Sequence, residues 1–426
     1  MKTVISTFAA LFAAMALTAA PVVSGVGVAE TADKVIEVSY MLSEKAIITV
    51  DFQLGGVSIG EEKFADLGGD VNRVVEAGAR KIFWNPASVP ALNGTNGTLT
   101  AVVKAWTLAS PPDYMVWTMD ENMPGRSIRF YTSTNALPDG GLLNDVYSRY
   151  RLVMKRIHAA GIEWRMGTTG TQRAYTGGDQ LREWPHYVKL TKDYYMSIYN
   201  LTQRQVRNVI GWPRNPSPYN NNDQAATESY PHNNIAFTEI RGSTDGILWP
   251  ALSESEAYAH KVDSGSLIAA FRERSGISTF DLPTRAQFEF AQRAGHGTLY
   301  YNGSDTVTAD MSNTTFAWVG ASGPQAVGKL PPNDYGLYDM NGNLLTWTLD
   351  VNWRSAGRLN NALETDPRGT DAATGERSIV GGFYSGTLTG CAYSGYATSL
   401  RATGYGSTSG ARVVCDVDMT ADLGGL

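Results

Sequence analysis

Cysteine, histidine and positive charge are all scarce in this chain of 426 residues. The two cysteines, Cys391 and Cys415, fit an exported protein with one disulfide, and the alternative is a pair of unrelated free thiols. The five histidines form neither an HExxH motif nor a His-x-His pair, so their spacing indicates no zinc site. A formal net charge of -6 leaves no basic footprint for DNA or RNA, and nucleic acid is therefore not an expected partner.

Long apolar runs are also missing, except at the start of the chain. Lys2 precedes the Ala-rich run VISTFAALFAAMALTAA, and small residues suitable for cleavage lie from Thr18 to Ala20 and again near Ala29. We interpret residues 1–29 as a signal peptide, which predicts a secreted, cell-surface or periplasmic protein. An uncleaved anchor is the alternative, because the run nearly reaches membrane-spanning length and Pro21 would obstruct cleavage directly before it. No later segment of the sequence is long enough to span a membrane.

Alternating, strand-like runs fill the chain from residue 30 to about 145. KVIEVSYML and AIITVDFQL are separated by Ser43, Glu44 and Lys45, a spacing that predicts a β-hairpin. KIFWNP, LTAVVKAW and YMVWTM follow, divided by segments rich in Gly, Pro and Asn. We therefore predict a small β-sandwich at residues 30–145, which ends in a linker at TNALPDGGLLND. This half contains no cluster of His, Cys or carboxylates, so a structural or adhesive module is favoured over an enzyme.

Helix signals distinguish the second half of the chain. A capping box, in which Ser or Thr precedes Gln or Glu by three residues, occurs at Thr202 and Gln205, at Ser253 and Glu256, and at Thr284 and Gln287. Between and after these pairs lie segments rich in Gly, Asn and Tyr that show no long periodicity. The pattern predicts an α+β domain in which much of the chain is ordered loop.

Three familiar site motifs are incomplete in this half. GPQAVGKL has the spacing of a phosphate loop, but Leu330 replaces the hydroxyl residue that would hold magnesium, and Pro331 prevents the helix that must follow. GSTSG has Thr408 where a nucleophile elbow needs serine. In DMNGNLLTWTLD, acid and amide side chains alternate as in an EF-hand loop, yet Leu344 stands where the sharp turn needs glycine. The sequence therefore favours none of these three sites.

Several segments, in a fixed order, carry a family resemblance. They are WRMG at 164–167, DLPTRAQFEFAQRAG at 281–295, FAWVG at 316–320, PPNDYGLYDMNGNLLTW at 331–347 and GGFYSG at 381–386. Together they resemble the formylglycine-generating enzyme family, also called the sulfatase-modifying-factor domain, over about residues 150–415. The resemblance implies a C-type lectin-like α+β fold, which the β-sandwich precedes here. Catalytic members of the family oxidise a sulfatase cysteine to formylglycine with molecular oxygen and copper held by two thiols.

The resemblance places the two reactive thiols of the family at Gly386 and Cys391. Because Gly386 has no sulfur, a single thiolate remains, and it cannot make the two-sulfur site that selects copper. Copper is therefore not expected. The iron-dependent sulfoxide synthase relatives need a histidine cluster, which we do not find in the sequence. We expect a catalytically silent scaffold that binds a ligand, and the alternative is an oxidoreductase that modifies sulfatases.

The same resemblance implies a calcium turn at DMNGNLLT. In the family this segment binds a structural calcium through a side-chain oxygen at the position of Asp339, carbonyl groups at those of Gly342 and Leu344, and a glutamate where Thr346 stands. The absence of that glutamate removes one negative charge and should weaken binding. Calcium held by Asp339, Gly342, Leu344 and Thr346 is one interpretation, and a metal-free polar turn is the other.

The segment TLTGCAYSGYATSLRATGYGSTSGARV, residues 387–413, is rich in Tyr, Ser, Gly and Thr. Rigid amphipathic rings among small polar residues are typical of recognition surfaces such as antibody paratopes. We therefore predict that Tyr393, Tyr396, Arg401 and Tyr405 contact a protein or glycan ligand. The alternative is a glycine-rich core loop whose tyrosines pack inward.

Overall fold

The structure of the protein is a computed structural model that describes residues 20–86, 98–119, 127–167, 185–211, 227–242, 262–312, 314–351, 363–367, 376–388, 397–401, 403–404 and 406–425. Side chains are not described at Val351 and at residues 397–401. Within these ranges no helix is both long and apolar enough to cross a membrane.

The first half of the chain forms two antiparallel sheets. Its strands are β1 (Val23–Glu30), β2 (Ile36–Leu42), β3 (Ala46–Leu54), β4 (Val57–Ser58), β5 (Leu67–Gly69), β6 (Val74–Val75), β7 (Gly78–Trp84) and β8 (Leu99–Trp106). One sheet has the order β1-β2-β7-β5, and in the other β3 pairs with β4, β6 and β8. Alternate residues of both sheets point into a shared core, as the predicted β-sandwich requires.

Strands β2 and β3 do not form the predicted hairpin, so that prediction is wrong. β2 pairs with β1 and β7, whereas β3 belongs to the other sheet. Val38 of β2 and Ile48 and Phe52 of β3 are fully buried in the shared core. Residues 43–45 therefore carry the chain from one sheet to the other. Alternation shows that two strands share a core, but it does not show whether they lie side by side or face to face.

Strand β1 overlaps the predicted signal peptide, residues 1–29. Its residues pair antiparallel with β2 from Val23↔Leu42 to Glu30↔Ile36, with a register shift between Ser24 and Gly27. The ladder makes residues 23–29 part of the sandwich. Cleavage between Thr18 and Ala20 would leave this strand intact, whereas cleavage near Ala29 would remove it.

The second half of the chain is built on three further sheets. Its strands are β9 (Tyr114–Thr118), β10 (Ile128–Tyr131), β11 (Arg151–Ile157), β12 (Glu163–Met166), β13 (His186–Lys189), β14 (Tyr194–Ser197), β15 (Leu345–Val351), β16 (Leu363–Thr365), β17 (Glu376–Val380), β18 (Ala397–Arg401), β19 (Ser409–Gly410) and β20 (Val414–Asp416). The sheet orders are β10-β9-β11-β14-β20, β12-β13-β16 and β18-β17-β15-β19.

The sheet β10-β9-β11-β14-β20 is buried on both faces. On β11, Leu152 and Met154 enter one apolar cluster, whereas Val153 between them enters the other. Tyr195 and Tyr194 of β14 divide between the two clusters in the same way. This alternation follows from the two-residue period of a strand, and it makes the sheet the centre of the domain.

The boundary between the two halves lies earlier than predicted. β9 and β10, which fall within the predicted sandwich at 30–145, pair with β11 of the second half. The predicted linker TNALPDGGLLND is also packed, because Leu137 is almost fully buried and the Tyr147 hydroxyl donates to the carbonyl of Pro138 at 2.8 Å. The change of sheet therefore falls between Trp106 and Tyr114 rather than near residue 145.

Short helices surround these sheets. They are α1 (Val146–Arg149), α2 (Gln203–Ile210), α3 (Phe237–Arg241), α4 (Leu267–Ser275), α5 (Arg285–Arg293) and α6 (Thr420–Leu423). The capping boxes predicted at Thr202 and Thr284 are both present, and they begin α2 and α5. The third predicted box, at Ser253 and Glu256, lies outside the described residues. The mixture of sheets, short helices and ordered loops confirms the predicted α+β class.

Candidate functional site

The polar turn, residues 338–344, joins three distant parts of the second half. The amide of Tyr338 donates to the carbonyl of Ile198 at 2.9 Å, and that of Gly342 donates to Gly381 at 2.6 Å. The amide of Asn343 donates to the carbonyl of Trp318 at 2.9 Å, and its own carbonyl accepts from the amide of Tyr384 at 2.8 Å. The turn therefore supports the segment that begins at Gly381 and continues to Gly386, where the resemblance places one of the two thiols.

Backbone geometry explains why acid, amide and glycine occur together here. Asp339, Gly342 and Asn343 have φ values of 52°, 80° and 58°. Glycine adopts such values without strain, and Asn and Asp tolerate them better than other residues. A Cβ atom at Gly342 would also lie 2.6 Å from the carbonyl oxygen of Trp318. The backbone of the turn thus accounts for the residue types at positions 339, 342 and 343.

Asn343 uses its whole side-chain amide within the protein. Its Oδ1 accepts from the amide of Gln325, and its Nδ2 donates to the carbonyl of Gln325, both at 3.0 Å. This two-way contact holds the loop that contains residues 323–330, which the phosphate-loop pattern had singled out. Asn343 therefore braces a neighbouring loop.

Asp339 is a buried carboxylate with one satisfied oxygen. Its Oδ2 accepts from the amide of Gly328 at 2.9 Å, while its Oδ1 is buried and makes no hydrogen bond. Burial raises the pKa of Asp339 to about 6, and the buried guanidinium of Arg412 acts in the opposite direction. Arg412 is itself buried, and this burial lowers the pKa of its guanidinium to about 9.

Leu344 and Thr346, the other end of the predicted calcium turn, both bind the side chain of Asn200. Nδ2 of Asn200 donates to the carbonyl of Leu344 at 3.3 Å, and the hydroxyl of Thr346 donates to Oδ1 of Asn200 at 3.1 Å. Both contacts are buried, so water does not compete for these groups.

The predicted calcium donor set is engaged within the protein in part, while Oδ1 of Asp339 is buried without a hydrogen bond. Calcium takes six to eight oxygen ligands, usually with several carboxylates. Of the predicted ligands, the carbonyl of Leu344 and the hydroxyl of Thr346 are already paired with Asn200, and half of the Asp339 carboxylate is paired with Gly328. In the described part of the chain, no group of three or more His, Cys, Asp or Glu side chains could hold a metal ion.

Gly386 and Cys415, two of the three positions related to copper chemistry, lie within the described residues. Gly386 lies in a turn where its amide donates to Phe383 at 3.1 Å and its carbonyl accepts from the amide of Gly320 at 2.9 Å. Cys391 lies outside the described residues. Cys415 has a free thiol, only 2 % exposed, on β20 opposite Tyr195. The predicted disulfide between Cys391 and Cys415 is therefore not shown by the structure, and burial raises the pKa of the Cys415 thiol well above its ordinary value.

Most of the predicted ligand-binding residues lie outside the described part of the chain, namely Tyr393, Tyr396 and Tyr405. Arg401 lies on β18, with only its backbone described. The two ends of the segment are firmly placed. Tyr384 accepts at its carbonyl from the amide of Ala321 at 2.7 Å, and the carbonyl of Thr408 accepts from the amide of Leu345 at 2.9 Å. The chain thus contacts the polar turn just before the segment, at Tyr384, and contacts β15 near the end of the segment, at Thr408.

Sequence reasoning missed Asn200 and Arg412. Asn200 gave no signal, because it precedes the cap of α2 and contacts a segment more than 140 positions away. Arg412 did give one, since it is a lone charge in the apolar run ARVV. A charge in such a position is expected to be buried and paired.

The second half of the chain is thus a loop-rich α+β domain that contains the polar turn. A sequence model of a protein family, described as the sulfatase-modifying factor enzyme 1-like domain, matches residues 160–417. The chain belongs to this family, which confirms the resemblance expected over residues 150–415. None of the curated proteins compared with the chain matches it.

Solved structures similar to this chain include variable protein 1 of Treponema denticola, with 22% sequence identity and a TM-score of 0.44 over 62% of this chain and 95% of that one. PvdO from Pseudomonas aeruginosa is similar at 14% identity and a TM-score of 0.41, over 62% of this chain and 94% of that one. CarF is similar at 14% identity and a TM-score of 0.38, over 62% and 98% of the two chains.

Proposed function

We propose that the protein is exported and that its sulfatase-modifying-factor domain is a binding scaffold without cysteine-oxidising activity. The observation that carries this proposal is the burial of one of the two cysteine thiols in the chain. The chain has two cysteines, and one of them, Cys415, is enclosed in the core of the domain. With glycine at 386, at most one thiol is left for copper, which prefers several soft sulfur ligands.

The same geometry supports a binding role for residues 387–405. Loops that carry function are usually held at both ends by a rigid scaffold. Here the stem at 381–386 is bonded to the polar turn, and the stem at 408–410 pairs with β15. The segment between these stems contains the Tyr, Ser and Gly residues from which recognition surfaces are built. The leader-like start of the chain supports export, where such a surface would meet a protein or glycan ligand.

Two assays test this proposal. First, the purified protein is incubated with a cysteine-containing sulfatase-motif peptide, copper(I) and oxygen, and the peptide is analysed by mass spectrometry. We expect no conversion of thiol to aldehyde above a sample without enzyme. A catalytically active member of the family, assayed in parallel, is the positive control, and turnover by this protein would refute the scaffold interpretation.

The second assay measures binding to arrayed glycans and arrayed cell-surface proteins. A variant with alanine at the predicted ligand-binding positions, namely Tyr393, Tyr396, Arg401 and Tyr405, should lose the signals given by the wild-type protein. The matched control is Tyr187→Ala, which removes a tyrosine that is 45 % exposed on a different sheet. Equal loss in both variants, or retained binding in the multiple variant, would contradict the assignment of this surface.

A further inference from the structure

A cleft of about 440 Å³ lies between the sandwich and the second half of the chain. Residues of the segment 62–66, which follows β4, line it on the side of the sandwich. Residues of the segment 134–143 line it on the other side, together with Tyr338 of the polar turn. Its volume falls within the range of roughly 300–1,000 Å³ that small-molecule sites occupy, and such sites are common where two domains meet. We call it the interdomain cleft.

The two walls of the interdomain cleft are fixed to each other. Glu61, directly before the sandwich wall, accepts hydrogen bonds at its carboxylate from the hydroxyls of Thr132 and Ser133, just before the opposite wall. Within that opposite wall, Asp139 forms an ion pair with Arg151, whose Nη2 lies 2.6 Å from Oδ2 of the carboxylate. The cleft is therefore formed before any ligand arrives, which lowers the entropic cost of binding.

Four polar side chains of the lining have no partner in the described part of the chain. No hydrogen bond or ion pair to a described residue is formed by the carboxylates of Glu62 and Asp66, the ammonium group of Lys63 or the side-chain amide of Asn135. Three of these groups belong to the sandwich wall, and Asn135 belongs to the opposite wall. Each of them can therefore exchange water for a ligand without breaking a contact within the protein.

The mixture of donors and acceptors indicates the class of ligand. The carboxylates of Glu62 and Asp66 only accept hydrogen bonds, whereas the ammonium group of Lys63 only donates them. An anionic ligand would meet two unpaired carboxylates, and a cationic ligand would leave Lys63 facing a like charge. A hydroxyl group both donates and accepts, so a neutral ligand with several hydroxyls can satisfy every one of these side chains.

Apolar surface lies beside these polar groups. Leu142 and Leu143 line the same wall as Asn135, and Leu143 is 95 % exposed. The ring of Tyr338 packs against that of Tyr199, with 5.2 Å between the ring centroids, and this contact holds Tyr338 at the lining. Sugars present C–H faces between their hydroxyls, and such faces pack favourably on leucine and aromatic side chains.

We propose that the interdomain cleft binds a neutral oligosaccharide. The hydroxyls of the sugar donate to the carboxylates of Glu62 and Asp66 and accept from the ammonium group of Lys63. Its C–H faces pack on Leu143 and Tyr338. The described lining includes none of residues 387–405, so this site does not rest on the proposed function.

Binding of the full chain to an array of neutral oligosaccharides tests the proposal, with isothermal titration of the strongest binder. The double variant Glu62→Ala, Asp66→Ala should bind that sugar at least about tenfold more weakly, because hydrogen bonds to charged groups are the strong ones. The matched control, Asp33→Ala with Glu44→Ala, removes two carboxylates that are not part of the described lining, and it should bind like wild type. If wild type binds no neutral oligosaccharide, or if the two double variants bind equally well, the proposal is wrong.

Ala65→Trp tests the location of the site without removing a polar group. Ala65 lies on the sandwich wall, and a tryptophan ring there would fill part of the cleft. We expect this variant to lose binding to the sugar at a melting temperature close to that of wild type. Retained binding would place the sugar elsewhere and would overturn the proposal.

The variant with alanine at Tyr393, Tyr396, Arg401 and Tyr405 separates this inference from the proposed function. It should keep the binding to the oligosaccharide that the cleft variant loses. Array signals lost in the cleft variant thus belong to the cleft, and the assay of residues 387–405 concerns the remaining signals. The opposite result, in which the sugar is bound by the cleft variant but not by the multiple variant, would overturn the cleft site.

A lysine-rich peptide tests the class of ligand. We expect no binding of this peptide that depends on the cleft, because Lys63 would repel it. Binding of the peptide in place of the sugar, abolished by Glu62→Ala with Asp66→Ala, would identify a site for cations and would overturn the assignment to a neutral oligosaccharide.

Discussion

Buried ionisable side chains determine much of the behaviour of the second half at the residue scale. Asp350 is 1 % exposed, and its Oδ2 accepts from the amide of Arg285 at 2.6 Å, at the first residue of α5. Its Oδ1 is buried without a hydrogen bond. Burial raises the pKa of Asp350 from 3.8 to about 6, although the positive end of the helix favours the ionised form.

The pKa of Asp350 predicts a pH-dependent stability. Because the folded-state value lies above the unfolded-state value, the protonated group stabilises the fold below about pH 4, and this contribution is lost as the pH rises through 6. The free energy of unfolding of wild type minus that of Asp350→Asn should fall by up to about 3 kcal/mol between these limits, at 1.36 kcal/mol per pKa unit. Urea unfolding of both proteins from pH 4 to pH 7.5 measures it. A difference that does not change with pH would contradict the prediction.

Cys415 predicts a second residue-scale result. Its thiol is buried and its pKa is raised, so the reactive thiolate is scarce in the folded protein. Iodoacetamide should therefore leave Cys415 unmodified in the folded protein and modify it in denaturant without reductant, as peptide mass spectrometry can show. If Cys415 reacts in denaturant only after reduction, it is part of a disulfide. That result would contradict the free Cys415 thiol seen in the structure.

At the scale of elements, local signals and long-range contacts have different roles. The capping boxes at Thr202 and Thr284 start α2 and α5 as predicted, because a capping box involves residues only three positions apart. The polar turn was also visible in the sequence as a glycine among acid and amide residues. Its partners were not visible, because Trp318, Gly381 and Tyr384 come from segments that the fold brings together.

Gly342 gives the element-scale prediction. Gly342→Ala should lose more stability than the matched control Gly320→Ala, although both glycines have positive φ. Each alanine should cost roughly 1–2 kcal/mol for its left-handed backbone. The Cβ at 342 would also collide with the Trp318 carbonyl, whereas nothing lies within 4 Å of a Cβ at 320. Chemical denaturation of the two variants gives the comparison, and equal losses would show that the close approach to Trp318 is unimportant.

At the scale of the whole molecule, the sandwich and the family domain are joined by specific contacts. Ile47 of β3 packs into the core of the second half, and the amide of Phe130 donates to the carbonyl of Asn72 at 2.8 Å. Nζ of Lys45 donates to the carbonyl of Gly424 at 2.8 Å. Ile47 and Ile48, adjacent in β3, thus enter different cores, which explains why the run AIITV lacks alternation.

The position of β1 predicts where the leader is removed. Cleavage near Ala29 would delete most of a strand that pairs with β2 along its length, so processing should occur before Val23. N-terminal sequencing of the exported protein should find a start between Thr18 and Val23, before the first residue of β1. A truncated form that begins at Glu30 should melt at a lower temperature, since β2 would lose its edge partner. A mature, stable protein that begins at Glu30 would contradict this prediction.

The sequence alone determined the family, the α+β class, two of the described helix starts and the number of thiols. These features depend on residue identities and on short spacings along the chain. The tertiary structure alone decided that β2 and β3 face each other across a core, that β9 and β10 belong to the second half, and that Cys415 is enclosed. It also placed Asn200 and Arg412 beside the polar turn. Such pairings join residues far apart in the chain, and the burial that makes them favourable exists only once the chain is folded.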